Sequence, residues 1–447
     1  MFVSTYFNLQ SDRKDYVLKI RIPFRLLLTI MFFAFFLNPV TVYADEPAIV
    51  VIDPGHGGEN LGAEYNGYTE KEINMIVAQA MYDELSLYEG VQVYMTRNGD
   101  AGLSLAERAE YAAGVNADLL ICLHFNMSEY HTLFGSEVWI SAFGEDYQKG
   151  YAAGSAILEQ FDLIGTYCKG IKTRLNDNGE DYYGIIRESH ARNVTAVLVE
   201  HCYLDHENDT DFYNTTEKLQ RFGRLDATAT AKYLGLSSES LGVDYSSYQN
   251  ALVELPSSVV KPDLTPPDIC YIELVEADKD KRTVKLRLSA EDYDSGMLYY
   301  SYSVDGGETF STLKEWPDGA DTFQFVVDVP NGMAPHIVVN AYNKYDIFAA
   351  SNEIVIDGFP LISKTEEETV SIPEPETETM QPETFESENT APALKEVSVS
   401  KENKDETDRS FSTFLKISAI CLCSLFILLL IGYSCLGRRK RKRRRKF

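Results

Sequence analysis

The sequence predicts an α/β domain with a twisted, mostly parallel sheet covered by helices, then a small all-β sandwich and a C-terminal transmembrane helix. Three observations predict this order. Strand-like and helix-like stretches alternate over residues 45–236, which is typical of successive βαβ units. Short strands with period-two patterning fill residues 266–357. An uncharged apolar run then occupies residues 417–436, a length that crosses the hydrocarbon core of a bilayer.

Residues 1–44 are predicted to be a signal peptide. Basic residues precede a short apolar run at residues 26–37, and the small-residue sequence that ends at Ala44 suits a cleavage site. An uncleaved membrane anchor is the alternative, although this run is short for a membrane span.

The C-terminal residues predict attachment to the cytoplasmic membrane through a single helix. Nine consecutive Lys and Arg residues, 438–446, follow the apolar run, so the positive-inside rule places the tail 437–447 in the cytoplasm. Residues 358–416 are acidic and poor in large apolar side chains, which predicts a disordered stalk. We therefore expect a single-pass protein of the cell membrane whose folded part is extracellular.

Composition narrows the class of partner. The 447 residues carry 41 Lys and Arg against 68 Asp and Glu, a formal net charge of −27, which argues against nucleic-acid binding. The seven cysteines are scattered and three fall in the predicted span, so they do not suggest a disulfide framework. The length leaves room for two or three domains, and the pattern specifies no oligomeric state.

The elements of residues 45–236 follow from local patterning. The predicted strands are 48–52, 91–95, 119–123, 137–140 and 196–200. After the first strand, Thr69 can cap a helix, with Glu72 completing a capping box, and Ser104 with Glu107 form a second box. The apolar positions of the first helix keep the 3.6-residue period and are Ile73, Ile76, Val77, Ala80 and Leu85.

The second folded region is predicted to be entirely β. Residues 237–265 are rich in Ser, Pro and Gly and predict a linker. Apolar residues then alternate over 281–290 and 323–329, and Asp305-Gly306-Gly307 predicts a hairpin turn. The stretch 292–310 resembles bacterial immunoglobulin-like extracellular modules, so we expect an immunoglobulin-like sandwich over residues 266–357.

Four polar residues mark a candidate site. His56 lies in a glycine-rich loop directly after the first strand, whereas His124 and Glu200 lie at the carboxyl ends of two other predicted strands. Glu70 lies at the start of the first helix. In open α/β sheets, the carboxyl edge of the strands is where ligands bind.

These residue types suit zinc chemistry. Two histidines and one carboxylate can hold zinc with an open position for water, and zinc lowers the pKa of that water to about 7. A second carboxylate, Glu200, would carry the proton from the nucleophile to the leaving nitrogen. Each residue alone also has a structural interpretation: a hydrogen-bonding loop histidine, or, for Glu70, an acid favoured at a helix start. Glu200 at the end of an apolar strand requires a partner, a metal or a raised pKa.

Seven short motifs occur in the order found in zinc-dependent N-acetylmuramoyl-L-alanine amidases, which the segment 48–236 therefore resembles. They are Asp53-Pro54-Gly55-His56-Gly57-Gly58, Thr69-Glu70-Lys71-Glu72-Ile73-Asn74, Thr96-Arg97, Ser104-Leu105-Ala106-Glu107-Arg108, Asn116-Ala117-Asp118, His124-Phe125-Asn126 and Val197-Leu198-Val199-Glu200.

The resemblance implies one zinc ion held by His56, Glu70 and His124, with Glu200 as the catalytic glutamate. It also implies a peptidoglycan hydrolase that cleaves the amide between N-acetylmuramic acid and the L-alanine of the stem peptide. A zinc-bound water would be the nucleophile and Glu200 the general acid and base. Two alternatives stay open: a non-catalytic wall-binding or adhesion protein on a degenerate amidase fold, and a zinc peptidase that acts within the stem peptide.

The sequence departs from the family pattern at Phe125 and at His201-Cys202, which follow two of the motif residues. We expect His201 to point to the opposite face from Glu200, because neighbours in a strand alternate. Arg187 could pair with a stem-peptide carboxylate, but a structural role is the favoured interpretation. The remaining histidines of this region, to which we assign no catalytic role, are His131, His190 and His206.

Overall fold

The structure is a computed structural model and describes residues 2–11, 14–23 and 46–359. The apolar run of the predicted signal peptide, the predicted transmembrane helix and nearly all of the predicted stalk lie outside these residues. Among the described residues, no helix has the length and apolar character needed to cross a membrane. Near the N-terminus, strands β1 (Phe2–Ser11) and β2 (Lys14–Pro23) pair as an antiparallel hairpin within the predicted signal peptide.

An α/β domain follows and is built on a six-stranded sheet. Its strands are β3 (Ala48–Pro54), β6 (Val91–Met95), β7 (Leu119–Asn126), β8 (Ser136–Ile140), β9 (Cys168–Lys172) and β10 (Ala196–Tyr203). They lie side by side in the order β6-β3-β7-β10-β8-β9. A short ribbon of β4 (Glu64–Tyr65) and β5 (Tyr68–Thr69) lies between the first two. Strands β6, β3, β7 and β10 are parallel, whereas β8 is antiparallel to β10 and parallel to β9. The predicted mostly parallel sheet is confirmed, and β9 is an addition that the sequence did not indicate.

Helices cover both faces of this sheet. They are α1 (Glu70–Leu85), α2 (Leu105–Gly114), α3 (Gly144–Asp162), α4 (Gly184–His190), α5 (Glu207–Tyr213) and α6 (Thr216–Leu234). Alternate strand residues enter two cores: Val50 and Ile52 pack with α1, α3 and α6, whereas Val51 packs with α2 and α4. The result is a three-layer α/β/α arrangement in which strands β3, β7, β8 and β10 are buried on both faces, as near-continuous apolar strands require.

One of the two predicted capping boxes is wrong. Ser104 and Glu107 form the predicted box at the start of α2, but the Thr69 side chain makes no capping hydrogen bond. Instead, the backbone N–H groups of Glu70 and Lys71 donate to carbonyl oxygens of the preceding loop, at 2.9 and 3.0 Å. Because those carbonyls already satisfy the first donors of α1, a side-chain cap is not needed.

The buried face of α1 is also rotated from the predicted one. It contains Ile73, Val77 and Leu85 as expected, but Met81 and Ala78 are buried whereas Ile76 and Ala80 are partly exposed. Glu70 and Asn74 lie on the same buried face. The helix therefore directs its first carboxylate into the protein rather than into solvent.

Residues 266–359 form an all-β module of two antiparallel sheets. One contains β13 (Ile269–Asp278), β14 (Thr283–Glu291) and β17 (Thr322–Asp328); the other contains β15 (Met297–Ser303), β16 (Lys314–Glu315), β18 (His336–Asn343), β19 (Phe348–Ala350) and β20 (Ile354–Val355). The predicted alternation of 281–290 is confirmed by buried Val284, Leu286 and Leu288. We refer to this part as the β module.

Two details of the β module differ from the predictions. Gly306 and Gly307 take positive φ as a turn requires, but the connection from β15 to β16 spans residues 304–313 rather than a tight hairpin. Asp305 organises that loop by accepting hydrogen bonds from the backbone and hydroxyl of Thr309. Phe359 is buried in the core of the β module, so the module extends two residues beyond its predicted end.

The predicted linker packs along the α/β domain. Strands β11 (Ser237–Ser238) and β12 (Val243–Asp244) form a small ribbon, and Tyr245 and Tyr248 pack against the main core. Further along, the N–H of Val260 donates to the carbonyl of Ala142 at 2.9 Å. The α/β domain and the β module belong to one compact unit, so this segment joins parts that contact each other.

Candidate active site

The carboxyl edge of the sheet brings the predicted site residues together. His124 on β7 and Glu200 on β10 are register partners on adjacent parallel strands. The loop that carries His56 leaves the end of β3, which is paired with β7. Glu70 begins α1 and is 3% exposed. The four residues predicted from the sequence therefore converge on one edge.

Three of them form a compact group that could hold a metal ion. The ligand atoms of His56, Glu70 and His124 all lie within 4.8 Å of one another. Nε2 of His56 lies 3.0 Å from Oε2 of Glu70, and Nδ1 of His124 lies 2.9 Å from Oε1. Burial alone would raise the pKa of Glu70, but hydrogen bonds from the two histidines lower it far below its ordinary value. Glu70 is thus an anionic carboxylate flanked by two imidazoles.

The surroundings of this group fit zinc. Oδ1 of Asn60 can only accept a hydrogen bond and lies 3.0 Å from Nδ1 of His56, so Nδ1 carries a proton and Nε2, which faces Glu70, is the nitrogen available to a metal ion. A Cβ atom at Gly55 would lie 2.3 Å from the His124 ring, so any residue other than glycine would clash with that ring. Two imidazole nitrogens and one carboxylate are the donor set of catalytic zinc.

A buried ion pair between Asp53 and Arg108 supports the His56 loop. Asp53 is fully buried and accepts hydrogen bonds from Arg108 at 2.7 Å, from Thr96 and from the Cys122 thiol at 2.9 Å. Arg108 also donates to the carbonyl of His56 at 2.5 Å. His56 has φ +62°, a left-handed conformation that costs about 1–2 kcal/mol in a non-glycine residue. The Arg108 contact holds the histidine in that conformation.

A second arginine ties the same loop to α1. The guanidinium of Arg97, 5% exposed, donates to the carbonyls of Pro54, Gly55 and Lys71 at 2.9, 2.9 and 3.0 Å. Because Lys71 follows Glu70, one side chain spans two elements that carry metal-ligand candidates. The Thr-Arg and Ser-x-x-x-Arg motifs of the sequence thus serve to position the site.

Glu200 lies in an acidic and desolvated environment. Its Oε2 is buried and has no hydrogen-bond partner among the described residues. Burial raises the pKa of Glu200 well above its ordinary value, and the neighbouring carboxylates of Glu70 and Glu137 raise it further. A carboxyl group with a raised pKa can both accept and return a proton near neutral pH.

Glu137 is a site neighbour that the sequence reasoning missed. It is the register partner of Glu200 on β8 and is 2% exposed. Its Oε1 accepts hydrogen bonds from Asn126 at 3.0 Å and Trp139 at 3.2 Å, and its Oε2 accepts one from Lys172 at 2.6 Å. The signal in the sequence was an acidic residue within the predicted strand 137–140, because a carboxylate in a buried strand requires a partner.

His201 points away from Glu200, as predicted. Its Nδ1 donates to the carbonyl of His124 at 2.8 Å, and its Nε2 lies 2.9 Å from Oδ2 of the buried Asp226 on α6. The ring stacks on Phe125 at 5.0 Å between centroids. Phe125 and His201 thus pack on the sheet face opposite the His124 and Glu200 side chains and support the strand that carries His124.

The weaker candidates have structural hydrogen bonds. Arg187 donates to the carbonyls of Asp181 and Tyr182, in line with the favoured structural interpretation. The other histidines pair with acids or cap a helix: His131 with Asp205, His190 with Asp146, and His206 at the start of α5. They lie outside the metal-ligand group.

Comparison with known proteins agrees with this geometry. Residues 50–232 match the model of the N-acetylmuramoyl-L-alanine amidase family. The chain is 31% identical over 167 residues to the amidase LytC of Bacillus subtilis, covering 36% of this chain and 30% of LytC. It is also 31% identical over 176 residues to the uncharacterised protein YqiI of the same organism, covering 39% of this chain and 80% of YqiI.

The chain belongs to the N-acetylmuramoyl-L-alanine amidase family. The amidase match takes in all four predicted site residues, whereas the β module lies outside it. Among solved structures, Cwp6 from Clostridium difficile is 32% identical, covers 42% of this chain and 29% of its own, and has a TM-score of 0.40. The matched segment spans under one third of the length of LytC and of Cwp6.

Proposed function

We propose that this protein is a peptidoglycan hydrolase that cleaves the amide between N-acetylmuramic acid and the L-alanine of the stem peptide. The observation that carries the proposal is the group of His56, Glu70 and His124 beside Glu200, within a domain of the amidase family. The family is generally zinc-dependent, and the donor set supports zinc as the cofactor.

His56, Glu70 and His124 would hold the ion, and zinc supplies a Lewis acid that polarises an amide carbonyl and acidifies water. Arg97 and Arg108 hold the His56 loop in place before substrate binds, because they donate hydrogen bonds to backbone carbonyls of the loop itself. The chain therefore presents a preorganised site.

Glu200 moves the proton. Its carboxylate takes a proton from the attacking water and delivers it to the nitrogen of the departing L-alanine. The raised pKa supports the second step, because a carboxyl group that takes up a proton readily can donate it to the leaving amine. Its position beside His124 supports a role at the same substrate bond.

We also propose that the amidase domain acts outside the cell and is held at the cytoplasmic membrane by the predicted helix at residues 417–436. The sequence of both chain ends supports this location, as does a substrate that lies outside the membrane. Protease added to intact cells is expected to remove the amidase domain while a C-terminal basic fragment stays with the membrane. Complete protection of the domain in intact cells would contradict the proposal.

Digestion of purified peptidoglycan tests the reaction. New amino termini should be L-alanine, and their release should stop with a chelator and resume with added zinc. Glu200→Ala should lower the rate about 10²–10⁴-fold while retaining zinc, and Glu110→Ala, at an exposed position on α2, is the matched control. Amino termini from within the stem peptide would indicate a zinc peptidase, and wall binding without cleavage would indicate an adhesion protein.

A further inference from the structure

The β module places an acid in contact with the buried charges next to the active site. Lys169 and Lys172 on β9 are 0% and 1% exposed, and both approach Oε2 of Glu137, at 3.6 and 2.6 Å. Asp346 of the β module lies 3.1 Å from the ammonium group of Lys169 and 4.0 Å from that of Lys172. Two acids and two lysines therefore form one cluster, which we name the buried ion cluster.

A bulge in β9 allows both lysines to join the cluster. Residues three apart in a regular strand point to opposite faces, but the register between β8 and β9 shifts beside Glu137. Ser136 pairs with Cys168 and Glu137 pairs with Gly170, so Lys169 is the extra residue, and Gly170 beside it takes φ +101°. After the bulge, Lys172 reaches the same carboxylate oxygen as Lys169. The local sequence is thus arranged to collect two positive charges at one carboxylate.

Asp346 balances the charge of this cluster. Without it, two lysines would share one carboxylate in a buried place, and an uncompensated buried charge is costly. Burial lowers the pKa of both lysines, but at Lys169 the attraction of Glu137 and Asp346 outweighs burial and raises it. Asp346 therefore acts mainly through Lys169.

The Asp346 loop is built to hold this position. Asp346 has φ +61°, and the Asn343 side chain accepts hydrogen bonds from the backbone N–H groups of Tyr345 and Ile347, each at 3.0 Å. The Tyr345 hydroxyl accepts a hydrogen bond from the backbone of Thr173, which directly follows β9. The loop is therefore fixed both within the β module and against the amidase domain.

A hydrophobic contact supports the same docking. Phe134 of the amidase domain is buried against Leu298, Tyr299 and Leu313 of the β module. The Tyr299 hydroxyl donates to the carbonyl of Phe134. The β module thus rests on the amidase domain through a packed apolar cluster as well as through charges.

A series of contacts connects Asp346 to the candidate active site. Asp346 contacts Lys169, and Lys169 contacts Glu137. Glu137 accepts a hydrogen bond at 3.0 Å from Asn126, which lies two residues beyond His124 on β7. Glu137 is also the register partner of Glu200. The cluster therefore touches the ends of the two strands that carry a metal-ligand candidate and the proposed proton carrier.

We propose that the β module is a working part of the catalytic unit, in which Asp346 is a positioning residue that orders Glu137 and the end of β7 through Lys169. This inference rests on the proposed amidase function. A module that served as a spacer or wall-contact module alone would need no carboxylate paired with a buried lysine of the catalytic domain.

Steady-state kinetics on a soluble muramoyl-peptide test the role of Asp346. Asp346→Asn should lower kcat about tenfold, because small displacements of catalytic groups reduce rates strongly, and should leave KM within about twofold. Asp346→Glu should restore most of the rate. Asp280→Asn removes an exposed carboxylate of the same module and should match the wild type.

Tyr299→Phe separates the carboxylate from docking in general. It removes one hydrogen bond to Phe134 but keeps the ring and Asp346, so kcat should stay within about twofold of the wild type. With rates expressed per bound zinc, a wild-type kcat in Asp346→Asn would overturn the inference. An equal loss in Tyr299→Phe would also overturn it. A wild-type protein that cleaves nothing would overturn the proposed function instead.

Discussion

The two flanks of the catalytic edge both use buried basic side chains, but with different partners. On the β3 flank, Arg97 and Arg108 donate mainly to backbone carbonyls of the His56 loop. On the β8–β9 flank, Lys169 and Lys172 face the carboxylate of Glu137. A planar guanidinium with several fixed donors can hold a loop, whereas an ammonium group mainly supplies charge. The β3 flank therefore fixes the shape of the His56 loop, and we call it the geometric flank. The β8–β9 flank mainly places charges beside Glu137, and we call it the charged flank.

The largest effect is expected from a substitution in the geometric flank. Arg108→Met leaves the fully buried Asp53 without its cation and removes a contact to the His56 carbonyl. We expect the free energy of unfolding to fall by about 3–5 kcal/mol and zinc affinity to fall about 10–100-fold. Urea unfolding and competition with a zinc chelator measure the two effects. Unchanged zinc affinity in folded variant protein would contradict the role assigned to this flank.

The second prediction concerns the charged flank and pH. Burial opposes ionisation of Glu137, but the two lysines outweigh it and lower the pKa of Glu137 from 4.5 to about 2. The ionised carboxylate therefore adds stability that is fully present above pH 4.5 and is lost as the pH falls toward 2. The difference in unfolding free energy between wild type and Glu137→Gln should shrink by about 3 kcal/mol over this range.

Urea unfolding of both proteins between pH 5 and pH 2.5 measures that difference. Glu110→Gln, at an exposed position, provides the control for loss of a carboxylate. A difference that stays constant with pH would show that the lysines do not hold Glu137 ionised. Zinc affinity at neutral pH should change less than in Arg108→Met, because Glu137 contacts no metal-ligand candidate directly.

The smallest effect is expected from a substitution in the β9 bulge, which is part of the charged flank. Gly170→Ala has room for its Cβ, whose nearest neighbour would be a Lys344 side-chain carbon at 3.8 Å, so the cost is confined to the backbone at φ +101°. We expect a loss of about 1–2 kcal/mol in unfolding free energy. Gly114→Ala, at the end of α2 with open space around it, should be neutral or stabilising. Equal stability of both variants would show that the bulge geometry is not required.

The difference between the flanks also explains what the sequence could predict. Arg97 and Arg108 of the geometric flank lie in short motifs that carry the resemblance to the amidase family, so the sequence marked them, although it did not predict their contacts. Strand β9 was missed because its sequence, Cys-Lys-Gly-Ile-Lys, contains two charges and a glycine and lacks apolar alternation. Its lysines are buried because Glu137 and Asp346 neutralise them, and these acids are distant in sequence.

The capping of α1 shows a similar limit. Thr69 and Glu72 have the spacing of a capping box, but the donors at the helix start are taken by carbonyls of the loop before it. Local pattern identified the helix and placed Glu70 at its start, whereas the choice between two competing acceptors depended on how the loop folds. Placement of the four site residues was predictable, and the contacts that hold them were not.

The thiol of Cys122, which donates to Asp53 beneath the ligand loop, has a practical consequence. Burial raises its pKa well above the ordinary value, and burial likewise raises that of Cys168 and Cys270 to about 11. Alkylating reagents attack thiolates, so the native fold shields these side chains at neutral pH. The rate of cysteine labelling would then report how often the protein opens, and the mass of each labelled peptide would show which layer opens first.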